Sequence, residues 1–496
     1  MKAAAFNIDG FSVVTLAIVL HALIMCLAPL FFIHSMHSDT TEIIYWGREW
    51  LWGYSKHPPL GPRLLDLFFH PGQAPILTLL VIGQVCVAIS AYFVWRTIRL
   101  FANEVAAAIG LLFYLAAPVS TFFAVQINHN SLLEPFWAAA MFFGLRYFEQ
   151  HRWSDALALS VTSALGILTK YEIAMLLGAL ILTALIYKPY RRIFLLPATY
   201  ACGAVFLVAV TPHFWWAATQ DHSTIDYALG ARHFGDKLEL LSSSKDFVIG
   251  HLAIIAGPAL AMLALRSRMQ FSIASKPRVV IGLCLITLPS LLLYLGALFT
   301  EQDVRQGWLL PMTANFIAGL VIFVNTERTY HQILTPVRMA ALTSVLALAN
   351  CAFFLGFLEF RLQMGKPVEA FDVDTRTLAH RLESLWVANS ELPLSCIVID
   401  NRRSSNVVLW LRSRPLVVNL ADPEWSRPAQ ISECKRTGGI AVLHETTETM
   451  AVSRFCLTTE VEMKVQSALA ARKVFPHADL FYIPPEVQGC GAPYAK

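Results

Sequence analysis

Eleven stretches of this chain are apolar for long enough to cross a hydrocarbon layer about 30 Å thick, which excludes nearly every water-soluble architecture. They run over 12–33, 75–95, 104–120, 131–146, 154–169, 171–187, 193–212, 247–265, 279–299, 307–324 and 337–358. The composition agrees: 56% hydrophobic residues, 15% charged residues and a mean hydropathy of +0.55 describe a polytopic membrane protein. The apolar run 154–187 exceeds one ordinary span, so a break is expected at Lys170-Tyr171-Glu172, the charged point within it. The first span is longer than a signal-peptide core and no small-residue cleavage site ends it, so it is read as an anchor. The expected fold is an α-helical polytopic membrane protein with about 11 transmembrane helices.

Basic residues set the orientation. Arg96 and Arg99, Arg146 and Arg152, Lys188, Arg191 and Arg192, Arg266, Arg268, Lys276 and Arg278, and Arg328 and Arg338 all fall on one side of this arrangement. The positive-inside rule makes that side cytoplasmic. The segment 34–73, the turn at Lys170, the loops 213–246 and 300–306, and the tail from residue 359 then share the opposite face. The net charge of +4 is modest and points to no nucleic-acid partner.

Two domains are expected: residues 1–358 in the membrane, carrying the outer loop 34–73, and residues 359–496 in water. In the tail, TRTLAHRLESLW (375–386) has a helical pattern and CIVID (396–400), VVLWL (407–411), PLVVNL (415–420) and GIAVL (439–443) read as strands. That is a small α/β domain. Cys396, Cys434, Cys456 and Cys490 belong to it and, on an oxidising face, form disulfides in one of three connectivities, of which Cys434 with Cys456 is preferred. Their spacing lacks the CxxC of a zinc site.

The outer loop carries the densest charge. Asp39 and Glu42 stand three apart, on one face of any helix there. Two carboxylates near a membrane surface can activate a hydroxyl, hold a cation or remain solvated. The aromatic run YWGREWLWGY follows, which would set Trp46, Trp50, Trp52 and Tyr54 at headgroup depth. Then His57-Pro58-Pro59-Leu60 fixes two φ angles and stops any helix. His34, His37, His57 and His70 beside Asp39 are metal-ligating types, but no pair has HExxH spacing; a divalent metal is the less favoured reading and no cofactor is assigned.

Asp39, Glu42, Tyr45-Trp46, Gly53-Tyr54 and His57-Pro58-Pro59-Leu60 together resemble the first outer loop of the bacterial polyprenyl-phosphate-sugar glycosyltransferases of the GT-C class. These are relatives of the protein O-mannosyltransferases and of the lipid A aminoarabinose and galacturonic acid transferases. NHNSLLEPFW (128–137), LTKYE (168–172), TPHFWWAATQDHSTIDYAL (211–229) and DNRRSSNVVLWLRSRP (400–415) are similar to further segments of that family. Two departures stand out. Family members often carry adjacent Asp-Glu where this chain has Asp39-Thr40, and often an aspartate near the fourth helix where it has Asn130. A gapless match through HPPL puts Asp39 on the family's catalytic aspartate, with Glu42 as its less certain partner.

The resemblance implies a GT-C-type membrane domain with a C-terminal α/β domain on the periplasmic side of a bacterial inner membrane. It implies transfer of a sugar from a polyprenyl phosphate to lipid A or lipopolysaccharide, another glycan or a protein, with inversion at the anomeric carbon. A leaving phosphate needs cations, and the candidates are Lys56, Lys170, Arg232 and Arg305, each expected on the outer side; Lys170 matches the family's Thr-Lys-Tyr. His57 holds the phosphate or shapes the turn, and Tyr171 flanks Lys170 as a further substrate-binding residue. The rival reading is a lipid or glycolipid transporter or flippase, which would not need an outer α/β domain and would favour repeated halves. No internal repeat is visible.

Overall fold

The computed structural model describes residues 10–220, 224–230, 244–245, 247–250, 252, 254, 270–300, 306–327, 335–364, 375–400, 404–420, 428–444 and 478–483. Helices α1 (Gly10–Leu27), α2 (Ser38–Gly47), α3 (Leu60–Phe68), α4 (Pro75–Phe101), α5 (Glu104–Ala116), α6 (His129–Gln150), α7 (Trp153–Thr169), α8 (Ile173–Ile186), α9 (Pro197–Thr219) and α10 (Thr224–Gly230) are followed by helices Lys276–Phe299, Thr313–Phe323 and Pro336–Gln363. The chain divides into two compact units. One comprises Met1–Ala28, Trp52–Leu60 and Leu80–Phe354; the other comprises Pro29–Leu51, Gly61–Leu79 and Leu355–Lys496. Of the segment 34–73, residues 52–60 fall in the first unit and the remainder in the second.

Among the described residues five helices are long and apolar enough to span a membrane, or seven if the bent pairs Glu104–Val125 and Ile173–Leu195 each count as one. Three more of the eleven expected stretches are occupied by α6, which is more polar, and by the shorter helices α7 and Thr313–Phe323. The stretch 247–265 lies largely outside the described residues. The break expected at Lys170 is present: α7 stops at Thr169 and α8 starts at Ile173.

Small residues let the helices of the first unit approach closely. At Gly282 and Gly319 a Cβ on either would stand 2.7 Å from the other's carbonyl oxygen, so the helices Lys276–Phe299 and Thr313–Phe323 cross backbone to backbone. Beside that crossing the buried Asn315 accepts from Trp137 Nε1 at 3.0 Å and donates to the Leu285 carbonyl at 2.7 Å, tying α6 to both helices. An amide buried this deeply is stable only because both its ends are bonded. Strands β1 (Gln270–Ile273) and β2 (Val324–Glu327) pair antiparallel at the ends of these helices.

In the second unit, helix Thr375–Asn389 precedes strands β3 (Cys396–Ile399) and β4 (Leu416–Asn419), helix Pro428–Thr437, and strands β5 (Gly439–His444) and β6 (Ala478–Ile483). The sheet order is β4-β3-β5-β6, with β3 parallel to β4 and β5, and β5 antiparallel to β6. Both faces of β3 and β4 are buried, as continuous Val/Ile/Leu runs require in a parallel sheet. The α/β domain is thus as expected, with two corrections. The run 407–411 is not a strand: Ser404–Leu409 forms a buried 3-10 turn closed by Trp410 and Leu411 N–H donating to the Val407 carbonyl. A short apolar run cannot by itself distinguish a strand from a buried turn. The disulfide joins Cys396 to Cys434, not Cys434 to Cys456, because helix Pro428–Thr437 packs on the start of β3 and brings those two Cα atoms to 5.4 Å. Cys456 and Cys490 lie outside the described residues.

Two stability measurements check this packing. Gly319→Leu forces a side chain into a backbone contact and should cost about 1–3 kcal/mol or more, read as a lower midpoint in thermal unfolding of the detergent-purified protein. Cys434→Ser should cost about 2–5 kcal/mol of the C-terminal domain. An unchanged midpoint in either case contradicts the corresponding contact.

Candidate active site

The acid pair is positioned by the start of α2. His37 caps the helix, its Nδ1 accepting from the Asp39 N–H at 3.2 Å, and the Asp39 carboxylate lies 3.6 Å from the same nitrogen. Negative charge in a helix's first turn is favoured by its dipole. Asp39 and Glu42 do share one face, and with Ser38, Tyr45, Ser405 and Asn419 they line an open polar recess. The Asp39 side chain is 48% exposed there, accessible to a ligand. Ser405 and Asn419 come from the C-terminal domain. Asn406 fastens its turn to the segment before α2 by a reciprocal pair, accepting from Met36 N–H at 2.7 Å and donating to the Met36 carbonyl at 2.9 Å. The hydroxyls of Thr41 and Ser405 meet at 2.5 Å.

The rest of the second unit braces this arrangement. Asp66 accepts from Trp50 Nε1 at 2.5 Å and pairs with Arg414, while Arg63 donates to the carbonyls of Trp50 and Leu51 at 3.1 and 2.9 Å. These bonds hold Trp50 at a φ of 45°, a left-handed conformation that a bulky residue seldom adopts. Gln430 donates to Glu49 at 2.7 Å. Of the four aromatic residues expected at headgroup depth, Trp46 and Tyr54 are buried within the protein and only Trp50 and Trp52 are exposed.

The first unit gathers a different set. Lys56 is buried and His57 stacks on His129, ring centres 3.7 Å apart. The Tyr54 N–H donates to the His57 carbonyl at 3.0 Å, closing the turn that Pro58 and Pro59 stiffen. Thr224 Oγ1 adds a bond of 2.7 Å to the Tyr54 carbonyl. In the turn between α7 and α8, Lys170 Nζ donates to Asn130 Oδ1 at 2.6 Å and pairs with Glu172 at 2.6 Å. Asn130 is placed by Asn128, which caps α6 by accepting from the Asn130 and Ser131 N–H groups. Tyr171 Oη lies 2.6 Å from His213 Nε2, and His213 Nδ1 lies 2.7 Å from the Trp52 carbonyl.

Charge explains the protonation of this region. Burial first, then coupling to the neighbouring His129 ring and the positive charges of Lys170 and Lys56, hold the His57 imidazole well below its ordinary value, so it is neutral. Burial pushes the Glu172 carboxyl up and Lys170 pulls it back. Burial raises the Tyr171 hydroxyl, which keeps its proton.

The expected site residues thus fall in two groups. Asp39 and Glu42 share the recess of the second unit; Lys56, His57, Lys170 and Tyr171 belong to the first. Arg232 and Arg305 lie outside the described residues. Among the described residues no three His, Cys, Asp or Glu side chains gather as metal ligands. Sequence reasoning missed His129, His213, Ser405 and Asn419 as site residues. The first two stood in quoted motifs, NHNSLLEPFW and TPHFWW, but their partners are 40 to 161 residues away in the chain, so spacing gave no signal.

His57 supplies a pH test. A depressed pKa means stability that is present above about pH 6.5 and is lost as pH falls through the folded value. The thermal midpoint should therefore drop between pH 6.5 and pH 4.5, and drop less in His57→Phe, which keeps an aromatic ring against His129 but cannot take a proton. Equal acid losses in the two proteins would contradict the assignment.

Residues 56–216 match the family of dolichyl-phosphate-mannose-protein mannosyltransferases, a segment that begins at Lys56 and includes HPPL, NHNSLLEPFW, LTKYE and His213. No curated protein matches the sequence. The fold is similar to that of ArnT from Cupriavidus metallidurans bound to undecaprenyl phosphate, with a TM-score of 0.61 and 12% identity over 96% of this chain and 98% of that one. It is also similar to ArnT from the same organism in the apo state, with a TM-score of 0.56 at the same identity and coverage. At this identity the likeness establishes the fold. Over residues 56–216 the chain is similar to the GT-C glycosyltransferases that the sequence resemblance named, and over nearly its whole length it shares the fold of ArnT.

Proposed function

We propose that this chain is an inverting membrane glycosyltransferase that moves a sugar from a polyprenyl phosphate to an envelope acceptor at the periplasmic face of a bacterial inner membrane. The observation that carries this reading is the buried Lys56 beside a neutral His57 and the Lys170 turn. Buried positive charge is costly and is kept where an anion must be met. Glu172 offsets part of that charge at Lys170. The ArnT structure of similar fold binds undecaprenyl phosphate, which fits the same chemistry.

In this reading an acceptor oxygen attacks the anomeric carbon as the bond from that carbon to the phosphate oxygen breaks. The bonding pair leaves with the polyprenyl phosphate, whose developing charge Lys56 and Lys170 stabilise. A single displacement inverts the anomeric centre. If the acceptor is a hydroxyl, Asp39 takes its proton and Glu42, Tyr45, Ser405 and Asn419 orient it. If it is a phosphate, already anionic, Asp39 orients the substrate instead. The proposed acceptors are lipid A or lipopolysaccharide, another glycan, or a protein. The Cys396–Cys434 disulfide supports an oxidising, periplasmic location for the C-terminal domain.

Mass spectrometry of envelope lipids, glycans and proteins from cells with and without the gene tests this reading. A hexose, uronic acid or aminopentose should be missing without it; restoration by the wild type but not by Asp39→Asn or Lys170→Met, at equal protein levels, is expected. Each substitution should reduce transfer by about 10²-fold or more. No mass difference under any growth condition contradicts the proposal.

A further inference from the structure

The Trp52 carbonyl has no proton to give, so His213 Nδ1, 2.7 Å away, must donate to it. In the neutral ring the other nitrogen, Nε2, then carries only a lone pair, and Tyr171 Oη at 2.6 Å must donate to that. The bonds therefore run in one direction: Tyr171 hydroxyl to imidazole, imidazole to backbone carbonyl. One end of the chain is the neighbour of Lys170; the other opens the turn that carries Lys56. The remaining contacts press the same parts together. Trp216, one helical turn beyond His213, lies where any side chain at position 53 would go, since a Cβ on Gly53 would stand 2.2 Å from its ring. Tyr171 stacks on Phe214 at 5.8 Å with planes 11° apart.

We propose that His213 is a positioning residue that sets the Lys56 turn and the Lys170 turn in one register, and that Tyr171 acts through His213 rather than by touching substrate. The use of that register in catalysis rests on the transferase reading above; the register itself does not. The outer end of α9 is then a template. Its His213 fixes the direction of the bonds and its Trp216 fixes the depth at which the loop sits. Loss of the Tyr171 hydroxyl leaves the imidazole free to turn, and the loop loosens although no atom of it has been changed.

Hydrogen exchange of the full-length protein in nanodiscs reads the register without any substrate. Tyr171→Phe should speed exchange of the amides of residues 52–57, among them the Tyr54 N–H, by about 5- to 10-fold, the effect of one hydrogen bond. His213→Ala should speed it further, and adding Tyr171→Phe to His213→Ala should change nothing more. His213→Asn, whose Nδ2 can occupy the place of Nδ1 and still donate to Trp52, should match Tyr171→Phe rather than His213→Ala. An unchanged loop in Tyr171→Phe, or independent and multiplying effects in the double variant, overturns the proposal. A transfer assay gives the second arm: Tyr171→Phe should raise the KM for the polyprenyl-phosphate sugar about 5-fold with kcat within twofold, and a loss in kcat alone would make Tyr171 a catalytic residue and overturn the assignment. If the wild type transfers no sugar, the transferase reading fails, while the exchange result still decides the register.

Discussion

Hydrocarbon offers the backbone no hydrogen-bond partner, and that constraint shapes both what this chain can be and where its chemistry can lie. Spans must be helices, because only a helix satisfies its own N–H and C=O groups. Side chains that need partners must find them in neighbouring helices, as Asn315 does with Trp137 and Leu285. Irregular backbone is confined to places where protein covers it. The Trp52–His57 turn is such a place: its carbonyls are answered by His213, Thr224 and its own Tyr54 N–H. Lys56 is carried by that turn and Lys170 by the turn between α7 and α8, so neither charged group sits within a helix.

The second unit meets its backbone's hydrogen-bonding needs with a sheet. A parallel-rich sheet buried on both faces gives the C-terminal domain its core, and a disulfide joins that sheet to its covering helix. The turn at 404–409 serves α2 instead of the sheet. Asn406 completes the hydrogen bonding of the Met36 peptide, and Ser405 follows it into the wall beside Asp39 and Glu42. The C-terminal domain is thus part of the acid recess, which gives the domain a direct part in the proposed chemistry.

What the sequence revealed and what it concealed follow from the range of the interactions. Helices were legible because their signal is local: run length and the charged break at Lys170. The i, i+3 relation placed Asp39 and Glu42 on one face of α2 for the same reason. The Cys396–Cys434 bond was misassigned because cysteine spacing says nothing about which helix covers which strand. VVLWL was misread because apolarity marks burial, not backbone form. His213 and His129 went unassigned because their partners are distant in sequence; a histidine in an apolar helix looks the same whether it fills space or directs a hydrogen bond.

In the proposed reading, the buried positive charge of Lys56 and Lys170 exists to meet a polyprenyl phosphate. Native mass spectrometry of the purified protein titrated with undecaprenyl phosphate measures this directly. The account predicts a one-to-one complex that weakens at least 10-fold in Lys56→Met and in Lys170→Met and is unaffected by Asp39→Asn, with all variants folded. Equal binding by the lysine variants and the wild type would contradict it.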